Sequence, residues 1–159
     1  MEKRAAAKAA DRELVIHREF DAPRELVFQA WTQAEHAAQW WGPQGFTVVL
    51  MEMDARPGGA WRKCMRAPDG HEYWRSGVVR EVVPPERLVF TYFSDDRDTN
   101  PEHETLVTVT FSESGGKTLM TFRQTEFESA ASRDAHRGGW QSTMERFAAY
   151  LVQVRAGRP

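Results

Sequence analysis

SAASRDAHRGGWQSTMERFAAYLVQVRAG, residues 129–157, sets Trp140, Met144, Phe147, Leu151 and Val154 at alternating steps of four and three, with Ala148 alongside. Residues spaced this way share one face of an α-helix, so the stretch predicts a long amphipathic helix whose apolar stripe must be covered by another part of the chain. Gly138-Gly139 falls near its start. A glycine inside a helix costs about 1 kcal/mol relative to alanine, and the pair predicts a separate or kinked first piece. Gly157 and Pro159 supply the stop.

The surface that covers this stripe is legible upstream. From Phe46 to about Phe127 the sequence becomes a series of short β-rich runs: FTVVLMEMDA, WRKCMRA, HEYWRSGVVREVV, LVFTYF, TLVTVTF and TLMTFRQTEF. RPGG, PDG, PPER and SESGGK separate them, and a polar segment, SDDRDTNPEHE (94–104), is read as a mobile hairpin loop. Turns this short predict six antiparallel strands in meander order, with Pro84-Pro85, which cannot donate to a ladder, at a corner. Before the meander, ELVIHREF reads as a strand. DAPRELVFQAW reads as a helix with Asp21 as N-cap, Pro23 in its first turn and Leu26, Val27, Ala30 and Trp31 on its apolar side; AEHAAQW follows as a second short helix. The predicted architecture is α+β: a strand, two short helices, a six-stranded antiparallel meander and a long closing helix. One domain is expected over residues 12–156, after a flexible Ala-rich tail at 1–11.

Composition narrows the function classes. A length of 159 residues with 41% hydrophobic side chains suits one core. A formal charge of -2, with no cluster of Lys/Arg interleaved with aromatics, argues against a nucleic-acid partner. No apolar run reaches membrane-spanning length, so no membrane insertion is expected, and the single Cys64 cannot form an internal disulfide. A cytoplasmic setting is the expectation. Cys64, in WRKCMR without a His and Asp/Asn arrangement around it, reads as a packed or half-buried thiol. His17, His36, His71, His103 and His136 lie on separate elements without metal-ligand spacing, so no metal is expected. No phosphate or dinucleotide fingerprint is present, and no cofactor is expected.

QWWGPQGF, residues 39–46, poses a separate question. Trp40 and Trp41 are adjacent, point different ways, and precede a Gly-Pro break.

The segments FDAPRELVFQAWTQAEHAAQWWGPQGF, DARPGGAW, MRAPDG, GVVREVVPPERLVFTYF and HRGGWQSTMERFAAYL, in that order, resemble the START/SRPBCC (Bet v 1-like) superfamily and, within it, the activator of heat-shock-protein-90 ATPase homologue family. The resemblance implies a helix-grip fold, a curved antiparallel sheet wrapped on the C-terminal helix with a hydrophobic cavity between them. It also implies that the WWGP turn lies at the cavity mouth, one indole beneath the short helices and the other leaning over the opening. The alternative is that both rings plug the edge of the core.

Ligand sites are concave and mostly apolar with a few polar groups. Strand alternation and the helix stripe therefore nominate Trp40, Trp41, Met51, Met65, Tyr73, Phe90, Tyr92, Val107, Val109, Met120, Phe122, Trp140, Met144 and Phe147 as cavity residues. Aromatic and Met side chains opposite a long helix are more often plain core than ligand wall. The row of Val107, Val109, Phe111, Met120 and Phe122 extends to Thr105, Thr118 and Gln124, and Val49, Met51 and Met53 share a face. Trp61, Lys63 and Met65 alternate on a side that the pattern leaves open, and of Tyr73 and Trp74 only one faces inward. Lys63, Arg80 or Gln124, if inward, needs a partner or water; if outward, it is simply solvated. His136, four residues before Trp140, is the histidine best placed for the cavity rim.

Three functions compete: a carrier or sensor of a hydrophobic or aromatic small molecule; a cofactor-independent enzyme of cyclase, aromatase or hydrolase type, with Glu52, Tyr73, Arg80 and His136 as acid/base candidates; and a chaperone-binding module. The co-chaperones that carry the family name also have a separate N-terminal domain that contacts the chaperone. A chain expected to hold one domain argues against that partner. A homodimer is compatible with exposed strand edges.

Overall fold

The alternating runs form the meander they predict, in a computed structural model that describes residues 12–94 and 104–156. The tail at 1–11, most of the 94–104 loop and the Gly157 and Pro159 stops lie outside the described residues. The sheet consists of β1 (Leu14–Phe20), β2 (Thr47–Met53), β3 (Ala60–Arg66), β4 (Glu72–Val83), β5 (Arg87–Ser94), β6 (Glu104–Ser114) and β7 (Lys117–Thr125). Each of β2 to β7 pairs antiparallel with the next, while β1 crosses to the far side and pairs with β7, giving the order β1-β7-β6-β5-β4-β3-β2. Its curled inner face carries Phe90, Tyr92, Val107, Val109, Phe111, Met120 and Phe122, all buried, and the rows continue through buried Thr105, Thr118 and Gln124 as alternation predicts.

β2 departs from simple alternation. A bulge between Val48 and Leu50 sets Val48 opposite Met65 and Met51 opposite Lys63. An extra residue in one strand shifts its side-chain phase, so Val48 rather than Val49 joins Met51 and Met53 on the inner side, and Val49 is exposed. Tyr73, opposite Met65, faces inward; Trp74, opposite Cys64, faces outward beneath the Arg62 guanidinium, 4.3 Å from its ring centre. Cys64 is buried.

The helices are α1 (Arg24–Thr32), α2 (Ala34–Trp40) and α3 (Ala130–Ala156). Asp21 is not the cap of α1. Pro23 stands there and its carbonyl accepts from Leu26 and Val27, while Glu113 on β6 accepts the Arg24 N–H at 2.7 Å. The α3 helix runs unbroken through Gly138-Gly139, contrary to the predicted break. Flanking anchors outweigh the propensity cost of the glycines: Ser129 Oγ caps the Ser132 N–H at 3.0 Å, and Trp140, Met144, Phe147 and Leu151 are buried against the sheet.

One glycine is required by close approach. At Gly77 on β4 a Cβ would lie 1.9 Å from the Thr91 carbonyl oxygen and 2.4 Å from Trp61 Nε1, which crosses the strand there to donate to that same carbonyl at 2.8 Å. Gly77→Ala must displace backbone and indole together and is expected to destabilise the fold by about 3 kcal/mol or more. Gly138→Ala, exposed and with nothing within 4 Å of the new methyl, is expected to stabilise it by about 0.5–1 kcal/mol. Urea unfolding of the two variants checks both signs.

Candidate functional site

The space between α3 and the sheet is filled at its centre. Trp31, on α1, has ring centres of Trp40, Trp41, Phe90, Phe122, Trp140 and Phe147 at 4.8 to 6.4 Å. The adjacent tryptophans divide around it. Trp40 turns under the short helices, stacked 4.1 Å from Phe147, with its Nε1 donating to the Ala30 carbonyl at 3.0 Å. Trp41 turns to the sheet, 4.8 Å from Trp61. Both are fully buried.

The turn that separates them is tied to α3. Arg146 Nη1 donates to the Phe46 carbonyl at 2.7 Å and to the carbonyls of Pro43 and Gly42 at 3.3 and 3.4 Å, and Ser142 Oγ accepts the Gln44 N–H at 2.9 Å. A chain of buried hydrogen bonds ties the same helix to the strands. Trp140 Nε1 donates to Gln124 Oε1 (2.9 Å), Gln124 Nε2 to Thr105 Oγ1 (2.8 Å), and Thr105 Oγ1 to the Tyr92 carbonyl (3.0 Å). Gln124, inward as the strand pattern allows, thus has both partners it needs.

Beyond Trp140, towards the start of α3, packing stops. A cavity of about 290 Å³ opens there between helix and sheet, lined by Pro43 of the turn, Lys63 and Met65 of β3, Arg75 of β4, Tyr92 of β5, and Ala135, His136, Gly139, Trp140 and Thr143 of α3. A Cβ built on Gly139 meets nothing within 4 Å, so the glycine leaves that wall open.

The chemistry of the cavity centres on Lys63, 2% exposed. Its Nζ donates to the Trp41 carbonyl at 3.3 Å and lies 4.6 Å from the Trp41 ring centre and 5.7 Å from those of Tyr92 and Trp140. No carboxylate among the described residues pairs with it. Burial, reinforced by the charges of Arg75 and Arg146, holds its ammonium well below the ordinary lysine range. His136, whose Nδ1 donates to the Ser132 carbonyl at 2.8 Å, is lowered by burial against the raising effect of that bond, with smaller lowering from Arg75 and Lys63.

Of the fourteen residues nominated from sequence, Met65, Tyr92 and Trp140 line the cavity. Trp40, Trp41, Phe90, Val107, Val109, Met120, Phe122, Met144 and Phe147 are packed core, and Met51 is half-buried against that core. Tyr73 sits at the sheet edge between Phe46 (5.9 Å) and His71 (4.3 Å). Among the acid/base candidates only His136 reaches the cavity; Glu52 and Arg80 are exposed. Lys63 is inward, whereas its pattern allowed either side, and Arg75, Pro43, Ala135, Gly139 and Thr143 are residues that sequence reasoning missed. Arg75 was accessible as the inward neighbour of Tyr73 two positions along. An open concavity of about 730 Å³ runs across β2 to β6 along the row of paired residues Glu52, Arg62, Ser76, Phe93 and Glu104.

Among the described residues no group of three or more His, Cys, Asp or Glu is arranged to hold a metal, and no helix is long and apolar enough to cross a membrane. The family model described as "Activator of Hsp90 ATPase homolog 1-like protein" matches residues 21–152. No curated protein matches. Solved structures similar to this one include the AHSA1 protein SPO3351 of Silicibacter pomeroyi (29% identity, 88% of this chain and 97% of that one, TM-score 0.81). Protein CV1439 of Chromobacterium violaceum (28%, 88% and 96%, 0.81) and NE0264 of Nitrosomonas europaea (25%, 92% and 98%, 0.78) are likewise similar.

Because burial depresses the Lys63 pKa in the folded state, the unfolded chain binds more protons between the folded value and the ordinary one. Stability therefore rises with pH across that window. Lys63→Met, close in shape and uncharged, is expected to remove this slope and to raise stability at neutral pH by about 1 kcal/mol or more, measured by urea unfolding at several pH values. The His136 shift has the same sign, so stability also falls as pH drops through the range just below that of an ordinary histidine.

Proposed function

The chain belongs to the activator of Hsp90 ATPase homolog 1-like family, and on that premise we propose that it binds a small aromatic or apolar molecule in the cavity between α3 and the sheet. One observation carries the reading: in a fold whose centre is packed by aromatic rings, a cavity walled by Met65, Tyr92 and Trp140 is left between α3 and the sheet. Its volume is near the lower end of the ~300–1,000 Å³ usual for small-molecule sites, which suits a ligand of one or two rings. Aromatic walls with a few polar groups give such a ligand area for affinity and points for orientation.

An enzymatic role has weaker support: of Glu52, Tyr73, Arg80 and His136 only His136 reaches the cavity, where Lys63 is the other titratable group with a lowered pKa. Efficient proton transfer needs donor and acceptor within hydrogen-bond reach of one substrate position. A chaperone-directed role draws on the family name and on no surface described above.

The test is a panel of one- and two-ring aromatics, neutral and anionic, titrated against the emission of the protein's tryptophans, with Trp140 in the cavity wall as the reporter. At least one member is expected to quench saturably in the parent. Gly139→Leu, which places a side chain in the vacant space while improving helix propensity, is expected to abolish that quenching with the fold intact by circular dichroism. A panel without a saturable quencher, or quenching unchanged in Gly139→Leu, overturns the reading.

A further inference from the structure

Lys63 is an unusual thing to find in an apolar cavity wall. A buried ammonium without a counter-charge is costly, and proteins ordinarily pair it or replace it. Here one of its three donors meets the Trp41 carbonyl, and the other two have no acceptor among the described residues. The groups around it deepen the imbalance. Arg75 lines the same cavity, Arg146 is near enough to depress the Lys63 ammonium, and His136 faces it from α3. Three aromatic rings within 5.7 Å soften the cost through their quadrupoles, but they carry no charge.

Resting on the reading of the cavity as a ligand site, we propose that its ligand is an amphipathic carboxylate, an aromatic or short apolar acid whose carboxylate meets Lys63 Nζ while its apolar body lies against Met65, Tyr92 and Trp140. A monoanion supplies the acceptors that the Lys63 donors lack and neutralises the buried charge. A phosphate dianion brings a second charge that must be desolvated against the same apolar walls, so the carboxylate is the better match. The site is thus one where a group that weakens the free protein becomes useful only when the ligand arrives.

Naphthalene-2-carboxylate and its neutral isostere naphthalene-2-carboxamide form the test, with 2-naphthyl phosphate as a third probe, each titrated by tryptophan quenching and by calorimetry. The parent is expected to bind the carboxylate at least tenfold more tightly than the carboxamide. Lys63→Met is expected to bring the ratio of the two affinities down to about one, with the carboxamide still binding saturably, which separates loss of a counter-charge from loss of the cavity. Equal binding of carboxylate and carboxamide by the parent overturns the carboxylate assignment and leaves the cavity reading standing. Tighter binding of the phosphate, or a carboxylate preference that survives in Lys63→Met, also overturns it. If no probe binds, both readings fall together.

Discussion

The Trp31 indole is the piece around which the rest is arranged. It comes from a short helix, yet it reaches rings from α2, α3, β5 and β7 and the Trp41 ring of the following turn. Burying an indole removes roughly 200 Å² from water, worth roughly 5 kcal/mol. That exceeds the ~1–3 kcal/mol cost of leaving its N–H without an acceptor, as both Trp31 and Trp41 do among the described residues. Interiors pack to crystal-like density, so with the centre taken by these rings the empty volume is displaced to the end of the sheet where α3 begins.

That displacement decides what kind of site the protein has. At the middle of the sheet the inner face is valine, phenylalanine and methionine; at the end it includes Lys63 and Arg75, with His136 opposite on the helix. The cavity therefore lies between a greasy interior and a cationic edge. The turn through Trp41 and Pro43 holds both sides in place, because Arg146 satisfies three of its carbonyls from the helix while Trp41 offers its own carbonyl to Lys63 from the opposite side. A hydrogen-bond chain from Trp140 through Gln124 and Thr105 fixes the wall that α3 presents. With its polar members satisfied, it holds the helix in one position and one rotation over the strands.

Stability and site chemistry pull against each other at Lys63. A methionine there would complete the aromatic wall without a desolvated charge, and nothing in the packing of the core requires an ammonium. Where a protein carries strain or an unfavourable charge in a concave site, binding is the natural process to relieve it.

Much of the fold was legible along the chain. The four-three stripe from Trp140 to Leu151 marked the closing helix, and alternation through β6 and β7 placed the inner side chains from Thr105 to Phe111 and from Thr118 to Gln124, because period and burial coincide in strands with one solvated face. Tertiary structure decided the rest. The bulge in β2 reversed the phase of Val48 and Val49, and the partner of β1 is a strand about a hundred residues away. The site was the least legible part. Lys63 sits on a strand whose inner face mixes Trp61 and Met65 with a lysine and whose outer face carries Cys64 among Ala60, Arg62 and Arg66, so the pattern of residue types did not say which face was inner. Gly139 looked like a helix breaker and is a gap in a wall. A sequence carries periodicity, hence elements and faces; where the rings run out and a cavity is left depends on how side chains from six elements fill one volume, and only the assembled fold sums that.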